Sequence, residues 1–109
     1  YSGVNFNDRA SVLGTAKVLE DTGVAAYNGA GRLLTNPDYL VIAGKIVSVE
    51  ARHASAIRTL INPNSVDFAG DDVVDPVTGL DMAKNPSAIL TAVGATGFIT
   101  TKFTANFLP

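Results

Sequence analysis

Glu50 and His53 stand three positions apart within a run whose apolar residues recur at helical spacing. On a helix, side chains three positions apart project from the same side. That side is otherwise greasy, shared by Ala43, Ile46, Val47, Ala54, Ile57 and Leu60. A buried carboxylate is costly without a partner, and buried Glu is rare unless it is paired or bound to a metal. The most economical partner for this pair is a metal ion held between helices.

A second carboxylate has the right position to join them. Glu20 falls on the apolar side of an earlier helical run, whereas Asp21 falls on the other side. The break between the two runs centres on Thr35 and Asn36. Glu20 precedes it by about fifteen residues and Glu50 follows it by about fifteen, so at roughly 1.5 Å rise per residue the two stand at one height in an antiparallel pair. Glu20, Glu50 and His53 can therefore converge. One Glu from one helix and Glu-x-x-His from its partner form half of the ligand set of di-iron and di-manganese carboxylate bundles. Oxygen and imidazole donors suit iron or manganese, and zinc is also accepted. His53 would bind as neutral imidazole with its second nitrogen held by another group.

Two long helices must position these residues. The first is predicted over 8–34, where Leu13, Ala16, Glu20, Val24, Tyr27, Ala30 and Leu34 recur at steps of three and four. Asn5 or Asn7 is the expected cap, with Asp8 near the positive helix end. Lys17, Asp21, Asn28 and Arg32 read as its wet face. Gly14, Gly23 and Gly29 each cost about 1 kcal/mol relative to Ala, which is tolerable where a neighbour approaches closely. Thr35-Asn36-Pro37-Asp38 breaks the helix and restarts one, because Asn caps well and Pro suits the first helical position. The second helix is predicted over 37–61 and ends at Asn62-Pro63-Asn64. So short a connection requires an antiparallel hairpin.

Residues 62–109 read as a C-terminal wrap. The stretch 62–85 is rich in Asp, Pro, Asn and Gly, with Val73 and Val74 as its clear apolar pair. Asn85-Pro86 repeats the cap-plus-proline signal and predicts a short helix to about Val93. The tail from Gly97, with Phe98, Phe103 and Phe107, fits either a short strand or an extended strap.

Composition bounds the alternatives. The 109 residues suit one small domain, and 47% hydrophobic content argues against disorder. A formal net charge of −2 with no basic cluster gives no footprint for nucleic acid. Lys45, Glu50 and Arg52 interrupt the best candidate for a membrane span. The absence of cysteine excludes disulfides and thiolate chemistry. No nucleotide-binding or Ser-hydrolase motif is present. His53 is the sole histidine, and its mid-helix position argues against a Ser/His/Asp triad. No catalytic residue and no organic cofactor site is assigned. Asp67, Asp71, Asp72, Asp75 and Asp81 lack EF-hand spacing and read as a solvated loop.

Structural roles compete with ligation. Glu50 and His53 also fit a buried polar pair with Arg52 or Tyr27 as hydrogen-bond partner. Glu20 equally fits a salt bridge to Lys45 or Arg52, and Tyr27 reads as core packing.

The run Glu20-Asp21-Thr22-Gly23-Val24-Ala25-Ala26-Tyr27-Asn28-Gly29-Ala30, followed by Val49-Glu50-Ala51-Arg52-His53-Ala54, resembles the second half of a ferritin-like domain. It resembles more narrowly the ferritin-like family that includes plant desiccation-related proteins and their bacterial and fungal relatives. Asn85-Pro86 and the closing Leu108-Pro109 fit the same pattern. The resemblance implies an all-α fold, a ferritin-like helical hairpin that is half of a four-helix bundle, followed by an irregular C-terminal segment with one short helix. It implies Glu20 as third-helix ligand, with Glu50 and His53 as fourth-helix ligands, to iron or manganese. The first two helices of that bundle have no counterpart here. Tyr1-Ser2-Gly3 reads as an internal or processed start, so either an upstream N-terminal half or a second copy in a homo-oligomer completes the bundle. The expected function is di-metal binding or oxidation in a stress response. The alternative is a metal-free, stress- or desiccation-associated structural or self-assembling protein. The residues do not fix the compartment, and the resemblance points to export.

Overall fold

The computed structural model describes residues 3–101 and residue 106. Among these, the chain forms helices α1 (Arg9–Gly31) and α2 (Pro37–Ile61), a 3-10 turn at Asp67–Ala69, and helix α3 (Pro86–Ala95). The fold is all-α: a helical hairpin with an irregular C-terminal segment carrying one short helix. Val74 and Asp81 make an isolated bridge, and no strand occurs among the described residues. None of the described helices is long and apolar enough to cross a membrane.

Local chemistry sets the helix ends. Asp8, rather than Asn5 or Asn7, caps α1 by accepting from the Ala10 N–H at 3.0 Å. Asn5 Oδ1 instead accepts from the Asn7 N–H at 3.1 Å. The first helix stops at Gly31, short of the predicted Leu34. Two i to i−3 bonds tighten the exit there, from Leu33 N–H to Ala30 and from Leu34 N–H to Gly31, a common way for helices to end. Asn36 caps α2, accepting from the Asp38 N–H at 2.8 Å, and Pro37 occupies its first turn. Beyond Asn62 the chain turns through Asn64, which takes the left-handed conformation at φ 62°.

The hairpin packs on small residues. Val24 and Ala25 of α1 and Ala43 and Ala54 of α2 are buried. Side chains this short bring the helices close. A Cβ on Gly23 would sit 3.8 Å from Glu50 Cγ, an ordinary packing distance.

The predicted wet face of α1 is covered. Lys84 N–H donates to the Ala25 carbonyl at 3.0 Å, and a Cβ on Gly29 would lie 1.8 Å from the Lys84 carbonyl oxygen. Gly29 is therefore required by the close approach of another backbone. Arg32 donates to Asn85 Oδ1, and Asn28 Nδ2 lies 3.5 Å from the Met82 carbonyl. Lys17 and Asp21 on that side form ion pairs. Periodicity placed these residues opposite the apolar stripe; the C-terminal segment supplies polar partners to Lys17, Asn28 and Arg32, and Arg58 of α2 supplies one to Asp21. The short helix runs two residues past Val93, to Ala95. Of the tail, residues 97–101 form no strand, and Phe103 and Phe107 lie outside the described residues.

Candidate metal centre

Glu20 comes from the middle of α1, and Glu50 and His53 from consecutive turns of α2. The hairpin brings all three together: one ligand atom from each lies within 4.8 Å of the other two. His53 Nδ1 is 3.4 Å from Glu20 Oε1 and 3.8 Å from Glu50 Oε2. Both distances exceed the usual N–H···O range of about 2.7–3.2 Å. Glu20 Oε2 is buried and has no hydrogen-bond partner.

The electrostatics follow from that arrangement. Burial, then the neighbouring Glu50 carboxylate, push the Glu20 carboxyl above its ordinary value, against the opposing pull of His53. Two carboxylates and an imidazole thus share one space without satisfying each other. The donor set fits a divalent cation: bonds of about 2.1 Å to one ion place neighbouring donor atoms roughly 3.0–3.4 Å apart. Glu20, Glu50 and His53 Nδ1 would hold such an ion.

The surroundings differ from the sequence expectation in two ways. His53 is not buried: its side chain is 56% exposed, against 23% for Glu20. Of the apolar residues expected beside it, Ala43 and Ala54 are buried and Ile46, Val47 and Ile57 half-buried, whereas Leu60 is exposed, as are the neighbouring Ile42 and Val49, because nothing among the described residues packs on that side of α2. The structural partners weighed for these residues also do not meet them. Arg52 Nη1 donates to Ser48 Oγ at 2.8 Å, Lys45 is exposed, and Tyr27 is half-buried.

The buried charge is Arg58, which the sequence reading passed over. It is 3% exposed. Its Nε and Nη2 donate to the Asp21 carboxylate at 3.0 and 2.8 Å. Nη1 and Nη2 donate to the Asp72 carboxylate at 2.9 and 2.7 Å, and Nη1 also donates to the Asp67 carbonyl at 3.0 Å. All five guanidinium N–H groups are engaged. Lys17 Nζ adds contacts to Asp21 at 3.1 Å and Asp72 at 3.5 Å. Hydrogen bonds from Arg58 hold the Asp72 carboxyl down to about 2, and bonds to Asp72 and then Asp21 raise the Arg58 guanidinium further above its already high value. So Asp72 of the acidic stretch is a structural ligand of Arg58. The available signal was a run of small residues, Ala51 and Ala54, leading to Arg58 along one side of α2, which leaves room for a long side chain to lie down.

An antiparallel helical pair with inward carboxylates from both members and Glu-x-x-His on the second defines a half-bundle of the ferritin-like class. The sequence profile of the ferritin-like domain family matches residues 1–63. The protein belongs to that family, and the match covers the hairpin with both helices that carry Glu20, Glu50 and His53. Residues 64–109, including Asp72 and α3, lie beyond it. No solved structure matches the chain.

Proposed function

We propose that the protein is a di-metal carboxylate protein of the ferritin-like class, of the desiccation-related type, that binds iron or manganese in a stress response outside the cytoplasm. Glu20, Glu50 and His53 are its ligands. What chiefly supports this reading is the unpartnered, buried Glu20 Oε2 beside a second carboxylate. Two carboxylates drawn from water toward a common centre repel unless a cation or a shared proton joins them, and the adjoining imidazole makes this donor set one that suits a metal cation. The bound metal would supply Lewis acidity and redox capacity toward Fe(II) or peroxide. The chain's own residues would fix the ion, balance its charge and, through Val24, Ala43 and Ala54, form the apolar floor of the hairpin.

The bundle is completed by two further helices laid on the exposed stripe of Ile42, Val49 and Leu60. Either an N-terminal half of the same bundle or a second copy of the hairpin fits the ligand count. A mass in solution of twice the chain would support the second copy.

The test is metal content. Protein purified without chelator and analysed by plasma mass spectrometry should carry iron or manganese in stoichiometric amount, lost in Glu50→Ala. Metal-free protein that shows no thermal shift with added Fe(II) or Mn(II) supports instead the second reading, a metal-free structural protein of the same bundle type. The observation favouring that reading is the 56% exposure of the His53 side chain.

A further inference from the structure

We infer that Asp21, Arg58 and Asp72 form a register pin, and that these three are positioning residues that set Glu20 at the level of Glu50 and His53. The metal readout of this inference rests on the proposed function; the pin itself does not.

The geometry carries it. Glu20 and Asp21 are consecutive on α1, and successive helical residues diverge by about 100°. Glu20 therefore addresses the open side of the hairpin while Asp21 addresses the covered side. A carboxylate held by two parallel N–H bonds has little freedom to slide. Asp21 is held in that manner by Arg58 of α2 at 2.8 and 3.0 Å. A slip of α1 by one residue along its own screw is about 1.5 Å with a turn of about 100°, which would swing the Asp21 carboxylate off the guanidinium and turn Glu20 away from the α2 ligands. The fully buried core of Val24, Ala25, Ala43 and Ala54 is made of small side chains, which resist such a slip weakly. Asp72 and the Asp67 carbonyl occupy the other edge of the guanidinium, so the C-terminal segment fixes Arg58 in the orientation that Asp21 needs. The segment beyond the family match is thus part of the apparatus that aligns the site.

Arg58→Lys in the full chain tests the pin. It keeps the positive charge but cannot serve two carboxylates bidentately. A role limited to charge balance would be largely rescued by this change, and a register role would not. Two readouts are taken. In metal-free protein, the nuclear Overhauser contact between the Gly23 α-protons and the Glu50 γ-protons reports the register. In loaded protein, Mn(II) affinity should fall about 10- to 100-fold, as when outer groups that orient metal ligands are removed. Arg52→Lys, whose side-chain partner among the described residues is Ser48, should change neither. If Arg58→Lys does not fold, Asp72→Asn is read in its place, with the same contact weakened and a smaller loss of affinity. An unchanged Gly23–Glu50 contact in a folded variant overturns the inference. Should wild-type protein bind no Mn(II), the proposed function fails, and loss of the contact in Arg58→Lys still upholds the pin.

Discussion

Glu20 and Asp21 are neighbours in the chain, yet they belong to two acidic clusters built on opposite plans. On the covered side, Asp21 and Asp72 face one guanidinium and one ammonium, and every N–H of the guanidinium is used. On the open side, Glu20 and Glu50 face one half-exposed imidazole at distances too long for hydrogen bonds, and a buried oxygen has no partner. The first cluster supplies its own cations. The second is short of one. Two pairs of carboxylates on a single hairpin therefore differ in kind: one holds the scaffold, and the other is the site proposed to take a metal ion.

The largest effect should come from emptying the satisfied cluster. Arg58→Ala leaves the largely buried Asp21 with Lys17 alone and frees Asp72, and removing one member of a buried pair costs about 3 kcal/mol or more. Urea unfolding followed by circular dichroism should show the midpoint falling accordingly. If the loss is within 0.5 kcal/mol, roughly the range of surface substitutions, the covered cluster is not structural.

The two sides should also answer differently to an added methyl group. Gly29→Ala places a Cβ against the Lys84 backbone, and a contact of that kind cannot be relieved by turning a side chain. It should cost about 1–3 kcal/mol and release the Lys84 amide to hydrogen exchange. Gly23→Ala meets only the Glu50 side chain at ordinary distance, so helix propensity should prevail and stabilise by up to about 1 kcal/mol. Equal effects at the two positions would contradict the asymmetry.

Acid sharpens the contrast further. Arg58 lowers the Asp72 carboxyl from an ordinary 3.8 to about 2 in the folded protein. A depressed acid stabilises above its unfolded value and loses that contribution as pH falls through its folded value. Thermal stability should therefore decline between pH 4 and 2, with a modest amplitude because Asp72 is 61% exposed. In Asp72→Asn this part of the decline should vanish.

The smallest effect is the opposite in sign. Glu20→Gln removes a carboxylate that burial and Glu50 already disfavour in its charged form, so metal-free protein should melt slightly higher at pH 7. The same variant should lose any stabilisation by Mn(II). A lower melting temperature without metal would mean that Glu20 is satisfied by His53 alone.

The two clusters were not equally legible in the sequence. Glu20, Glu50 and His53 lie on long periodic helices, where spacing translates into direction and height, so their meeting could be read from residue numbers. The hairpin was legible for the same reason, together with the Asn36-Pro37 restart. Arg58 has a partner that periodicity cannot place, because Asp72 sits in an irregular segment whose path is set by contacts such as Lys84 to Ala25. The same contacts turned Lys17, Asp21 and Asn28 from a wet face into an interface. His53 went the other way. Its neighbours on the helix read as core, and its exposure arises because nothing among the described residues packs on that side of α2.

The most direct measurement is an anomalous-scattering map of crystals of the full chain grown with Mn(II) or Fe(II), recorded at the metal edge. The account predicts a peak bonded to Glu20, Glu50 and His53 Nδ1. A map without a peak there, while the three side chains keep their places, would contradict it.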